Sequence, residues 1–428
     1  MPDHDTSGPF TIDVNSLETF AKCFHVEGAL LRKPLALLAA AAVAAALTIG
    51  APASAQATSP TSALESAINS LHVDDATKAR YLETIKALPA DWQERAARFK
   101  AGLGVTGSAW NELALSAIDP NDYKCADTRL SAWLDERLEG ADFFTILIVV
   151  ILGGLDIPAY DALLFNSGDT PQSYGENGEY TTTVTHELRD LKKFWDIKSD
   201  DIRGVAMHGD VLKDADRTAR VLEVLWGLPA GEGKDLADLL IEVLAADPVL
   251  NADNPIFTFN AFAFTAEGDP DPIVQGIPDK IVMGDGIMKG MDGIGLGEVA
   301  TKSILGHEFG HHVQFEDGLF DSPLTGPEAT RRTELMADAF AGYFLTHKRG
   351  GTLNAKRLLP AVQSFFEVGD CSFSSDGHHG TPNQRLASSS WAVDLAQDER
   401  KQGHIMPSMT FANLFDAQLP IIVKPDAH

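Results

Sequence analysis

The stretch His307-Glu308-Phe309-Gly310-His311 constrains this chain more than any other. Two histidines four residues apart share a face only on a helix, because four residues turn an α-helix by about 400°. The pattern H-E-x-x-H therefore predicts a helix that offers two imidazoles to one metal ion, as a zinc site requires. Glu308 lies next to that face, where it can take a proton from a water in the open coordination position. His312 is turned about 100° from His311 and about 140° from His307, so it points away from the ion.

A chance H-E-x-x-H is expected in about a few per cent of such chains, so the surroundings must decide. Zinc needs a third protein ligand and an open fourth position. Glu334 and Asp338, in RRTELMADAFAGYF, are again four apart and share a face on a stretch that is otherwise small and apolar. Burying a carboxylate there is costly unless it meets a metal or a cation. Glu334 fits the third ligand, and Asp338 fits an acceptor that orients a ligating imidazole through its other ring N–H. Tyr343 and His347 lie about 180° and 220° round from Glu334 and read as packing or surface residues. MHGD (207–210) contains His208 and Asp210, and His208 reads as a buried, hydrogen-bonded loop histidine rather than part of a second metal site. The acidic GDPDP (268–272) matches no standard calcium loop.

GHEFGHHVQ (306–314), ELMADAFAGYF (334–344) and HHGTPNQR (378–385) together resemble the bacterial neutral zinc metallopeptidases of the gluzincin type, in the family's order. The likeness covers roughly 255–400, and 175–230 more loosely, but not the N-terminal helices. It implies a zincin fold: a small sheet whose edge strand binds peptide by strand addition, an active-site helix beneath it, and a glutamate helix. The edge strand would be IFTFNAFAF or DKIVM. The likeness also implies one Zn2+, held by His307, His311 and Glu334, with Glu308 as general base. His379, or its neighbour His378, is a candidate donor to the oxygen that becomes negative during attack on a carbonyl. Arg385 is a candidate partner for a nearby carboxylate; the alternative is a turn at 377–384 that Arg385 anchors.

The chain carries 34 basic against 61 acidic side chains, a formal charge of −27. Such an excess argues against nucleic acid or an anionic membrane surface as partner. Arg32 and Lys33 precede the apolar run LALLAAAAVAAALTI (35–49), and Ala53-Ser54-Ala55 follows. That is the pattern of an export signal cleaved after Ala55, and the run is short for a membrane span. Localisation is thus expected to be secreted, periplasmic or cell-envelope, without a stable membrane anchor. Residues 1–31 fit no signal n-region, which points to a translation start near Val26 or Leu30; a long n-region is the alternative. Removal of the signal leaves Cys125 and Cys371, an even pair that reads as a disulfide in an exported protein; two separate buried thiols are the alternative.

Periodicity predicts helices over about 62–72, 74–100 and 126–140, with Asp75 near a cap. FFTILIVVILGG (143–154) is too short to span a membrane and reads as a buried strand or core helix. A strand at 181–185, helices at 186–196, 214–227 and 236–246, and strands at 256–264 and 279–283 follow. A glycine-rich turn over 284–297 leads into the H-E-x-x-H helix. A last helix, 327–347, is expected to begin at a capping box, Thr325-x-x-Glu328. The fold class expected is α+β and mainly helical, with a signal segment (1–55), an N-terminal helical region (56–140), a metallopeptidase domain (141–405) and a C-terminal tail (406–428). The function expected is zinc-dependent hydrolysis of peptide or protein substrates. The alternatives are a non-enzymatic envelope protein with a structural or vestigial zinc site, and a zinc hydrolase acting on a cell-wall bond.

Overall fold

The computed structural model describes residues 60–103, 128–268, 273–369, 379–398 and 403–426. The export-signal segment, Cys125, Cys371, His378 and residues 269–272 of GDPDP lie outside these. The fold is α+β, mainly helical, around one small sheet.

The chain enters through α1 (Pro60–Ser70), α2 (Asp75–Lys86) and α3 (Trp92–Leu103). Asp74 caps α2 by accepting from the Thr77 amide, and Asp75 stands next to that cap as the first helical residue. The helix expected over 74–100 is split at Pro89, which lacks the amide hydrogen a helix interior needs. Next come α4 (Arg129–Leu138) and α5 (Phe143–Ile151). The FFTILIVVI run is thus a core helix, capped by Asp142 on the Thr145 amide.

After α6 (Ile157–Phe165) comes α7 (Thr181–Phe194), which replaces the strand expected at 181–185. The β-branched run TTTVT suggested a strand, but Val184, Glu187, Leu191 and Phe194 are buried at helical spacing, and that packing decides. Strand β1 (Arg203–Met207) and helices α8 (Ala215–Trp226) and α9 (Lys234–Ala246) follow. The strand expected over 256–264 is shorter: Pro255–Thr258 forms a 3-10 turn begun by Asn254, and only Ala261–Phe264 is strand, β2. Strand β3 (Lys280–Gly284) runs straight into α10 (Asp285–Gly293), where a glycine-rich turn was expected. Ile287, Met288 and Met291 bury one face of α10, and this outweighs the glycines' poor helix propensity.

Helices α11 (Gly297–Glu316) and α12 (Pro327–Thr346) match the two site helices expected. The capping box at Thr325 is not formed: Gly326 occupies the N-cap at φ 56°, with no side-chain cap bond. Three further helices follow: α13 (Ala355–Glu367), α14 (Pro382–Gln397) and α15 (Ser408–Ile422). A capping box does exist at the start of α14, between Thr381 and Gln384. The segment 406–428, expected as a tail, contains α15, which buries Phe411 and Phe415.

The strand order is β1-β3-β2, with β1 parallel and β2 antiparallel to β3. Every residue of β3 is buried, so the sheet has two dry faces. Alternate side chains divide between two cores. Val205, Met207, Phe262, Phe264 and Val282 pack with the helices α1, α2, α5, α8 and α9. Ala206, Ile281 and Met283 pack with α7, α10, α11, α12 and α15. The first core crosses residue 140, joining Leu64 and Tyr81 to Ile146 and Leu225. Among the described residues no helix is long and apolar enough to cross a membrane.

Candidate metal centre

Helices α11 and α12 meet through their smallest residues. Gly306 faces Ala341, and Gly310 faces Ala337; a β-carbon built on Gly310 would lie 3.0 Å from Ala337 Cα and 3.1 Å from its carbonyl oxygen. This approach brings the carboxylates of α12 against the imidazoles of α11. His312 fixes the other side of α11: it is fully buried, and its Nε2 donates to the Lys280 carbonyl of β3 at 2.9 Å. The helix is thereby hung beneath the sheet, with His312 turned away from the ligand face as helical geometry required.

The ligand atoms converge. His307 Nε2 and His311 Nε2 are 3.1 Å apart. Glu334 offers Oε2 to His307 Nε2 at 3.2 Å and Oε1 to His311 Nε2 at 3.3 Å. These three residues form a group able to hold a metal ion. Each histidine spends its other ring nitrogen inside the protein. His307 Nδ1 donates to Asp338 Oδ1 at 2.8 Å, and His311 Nδ1 donates to Gln314 Oε1 at 2.8 Å. With both Nδ1 atoms protonated, both neutral Nε2 atoms are acceptors and face a carboxylate. Acceptors packed this closely repel unless a cation, a proton or a metal, lies among them.

The supports of the two imidazoles differ. Asp338 has no exposed surface and receives a two-pronged guanidinium, Arg385 Nε to Oδ2 at 2.8 Å and Nη2 to Oδ1 at 2.6 Å. Arg385 thus pairs with a carboxylate, in the first turn of a helix rather than anchoring a turn. Gln314, also fully buried, donates through Nε2 to the Thr333 carbonyl at 2.7 Å, which holds its oxygen towards His311. Gln314 was missed in the sequence. Its only signal was its place three residues after His311, on the same helix face.

Burial opposes a proton on His307, but hydrogen bonds and charge from Asp338 and Glu334 outweigh it and raise the imidazole to about 10. Burial likewise opposes ionisation of Glu334. The charges of His379 and His311, with hydrogen bonds from both ligand histidines, nonetheless hold its carboxyl well below the usual range. The pocket is therefore built to keep Glu334 anionic and to want a positive charge at its centre.

A cavity of ≈ 320 Å³ opens onto the ligands and is lined by Glu308, His379 and Arg385 as well. Glu308 is buried at 6% exposure, and His379 is half-buried. The edge strand β2 also lines this cavity, turning the small residues Ala261 and Ala263 to it and leaving room beside the ligands. At the mouth, the exposed Phe320 stacks on Phe315 at 4.9 Å and faces the His311 ring at 6.4 Å.

The other residues singled out in the sequence lie elsewhere. Tyr343 and His347 are buried in an aromatic cluster with Phe194, and the Tyr343 hydroxyl accepts from the Met406 amide at 3.3 Å. His208 pairs through Nδ1 with Asp285 Oδ2 at 2.6 Å. Asp210 pairs with Arg217 at 2.8 Å. Comparisons with protein-family models, with curated proteins and with solved structures found no match.

Proposed function

We propose that the chain is an exported zinc-dependent peptidase of zincin type, similar to the gluzincins. One observation carries this reading: two imidazole Nε2 atoms and one carboxylate converge at the wall of a cavity that also holds Glu308. The donor set fits zinc, which favours two imidazoles and a carboxylate; calcium and magnesium favour oxygen alone. Three protein ligands leave a position open, as catalysis needs and a closed structural site does not provide. When bound, zinc supplies Lewis acidity that polarises a carbonyl and makes a water acidic enough to attack near neutral pH.

The chain's own residues do the rest. Glu308 accepts the proton of the attacking water and returns it to the departing amine. His379, on the same cavity, donates to the carbonyl oxygen as it gains charge. An extended peptide pairs with the edge of β2, main chain to main chain. Asp338 and Gln314 hold the two imidazoles in the tautomer that leaves Nε2 free for the metal.

The experiment is metal analysis of the purified protein beside hydrolysis of casein and of a peptide library. One zinc per chain and cleavage that stops on chelation are expected. Stoichiometric zinc without cleavage of any peptide would leave a non-hydrolytic envelope role.

A further inference from the structure

The cavity does not end at the metal donors. Part of its wall comes from α4, far earlier in the chain than the site helices, through Leu130, Ser131 and Leu134. The start of α4 is fastened to the end of α13 by Glu367, a carboxylate 2% exposed. It accepts from the Arg129 amide at 2.8 Å and the Arg129 Nε at 2.7 Å, and Gln363 holds it at 3.0 Å. Thr128 Oγ1 adds a bond to the Glu367 carbonyl at 2.9 Å. A buried carboxylate at a helix N-terminus is a favourable pairing, and here it sets where α4 stands. α4 is also seated against α10, where Trp133 packs on Gly293 and Leu130 on Gly290.

The chamber so closed presents carbon. Leu130, Leu134, Ile287, Ile304, Phe365 and Val368 line it. Four hydroxyl residues line it as well, but their hydrogens are spent inside the protein. Thr128 donates to Glu367, Ser131 to Thr128, Ser303 to Val299 and Ser364 to Ala361, each time to a carbonyl oxygen. Glu367 is saturated by the start of α4 together with Gln363. A polar side chain entering here would lose its water and find few partners, whereas an aliphatic or aromatic one would gain by burial.

We infer that α4 and α13 form a side-chain pocket of the metal site, so that the substrates are peptides with a large aliphatic or aromatic residue beside the bond presented to Glu308. This rests on the peptidase reading and assigns the N-terminal helical layer a part in specificity. Ser131 is half-buried and faces the chamber, so a phenyl ring placed there fills the space a substrate side chain would take.

The test separates binding from cleavage. Labelled short peptides that differ at one position, Ala, Leu, Phe, Asp or Lys, are titrated by fluorescence anisotropy against zinc-loaded Glu308→Gln protein; wild-type protein is assayed for cleavage of the same set. Leu and Phe peptides should bind roughly tenfold to a hundredfold more tightly than the Ala peptide, and Asp and Lys peptides no better than Ala. In the Glu308→Gln background, Ser131→Phe should abolish the advantage of Leu and Phe. Leu130→Ala should enlarge the chamber and shift the preference from Leu towards Phe, and zinc content and circular dichroism check that both variants fold. Equal binding of all five peptides, or an unchanged Leu-over-Ala ratio in Ser131→Phe, overturns the pocket. Selective binding without any cleavage sinks the peptidase reading and leaves the pocket standing; cleavage without apolar preference does the reverse.

Discussion

Gly310 of α11 lies so close to Ala337 of α12 that a single added β-carbon would meet backbone on the facing helix, at 3.0 Å from Cα. That closeness makes one site of four side chains from two helices. His307 and His311 flank Gly310 on its helix, and Glu334 and Asp338 flank Ala337 on the other. Gly310→Ala must therefore push the helices apart, since backbone cannot give way as a flexible side chain can. The expected cost is about 1–3 kcal/mol in denaturant unfolding, with zinc affinity down at least about tenfold because the ligand atoms separate. Unchanged zinc affinity would mean that the helix spacing does not set the site.

Asp338 and Arg385 form a fully buried pair behind His307. Removing one partner leaves an uncompensated charge, so Arg385→Met should cost about 3–5 kcal/mol. The double variant Asp338→Asn with Arg385→Met should cost clearly less than the sum of the single losses. Urea unfolding of the four proteins measures this coupling, and strict additivity would contradict a direct pairing.

The ligand cluster wants a central cation, so metal binding should stabilise the fold. At free zinc a hundredfold above Kd, the gain is about 2.7 kcal/mol. Chelation should lower Tm accordingly, and His311→Ala should remove the response. The Gln314→Leu protein should bind zinc roughly tenfold to a hundredfold more weakly than wild type, because His311 loses the partner that fixes its tautomer. Calorimetry with and without chelator reads the first effect, and competition with a zinc-sensitive dye reads the second.

The ion pair of His208 and Asp285 gives a pH test away from the metal. The hydrogen bond to Asp285 raises the imidazole above its ordinary value; burial and Arg217 oppose this, while the charges of Asp285 and Asp210 support it. A raised folded-state value means that the stabilisation is fully present below pH 6.5 and is lost as pH rises through the folded value. His208→Asn should therefore destabilise the protein at pH 6 and cost less at pH 9. Equal costs at both pH values would show that the imidazole's charge contributes nothing.

The site was legible in the sequence wherever helix geometry alone fixes direction. The four-residue spacings of His307 and His311 and of Glu334 and Asp338 placed all four on facing sides. The same geometry turned His312 and Tyr343 away from the ligands, and tertiary packing then set them against β3 and the aromatic cluster. What failed was local propensity set against tertiary packing. TTTVT looked like a strand, yet Val184, Leu191 and Phe194 bury one face of a helix. The glycines of 284–297 looked like a turn, but Met288 and Met291 needed a buried face. The capping box was read at Thr325 and occurs at Thr381, because the motif is short and a cap bond depends on the backbone angle at which the chain enters the helix. The chamber wall from α4 was not legible at all, since no sequence spacing announces that residues 128–134 will stand beside residues 365–368.

The most direct measurement compares zinc content and peptide cleavage in wild-type, Glu308→Gln and His307→Ala proteins. Wild type should hold one zinc per chain and cleave. Glu308→Gln should keep the zinc while turnover falls by roughly 10²–10⁴, and His307→Ala should lose both. A Glu308→Gln protein that cleaves at the wild-type rate, or a wild-type protein that takes iron and no zinc, would contradict the proposal.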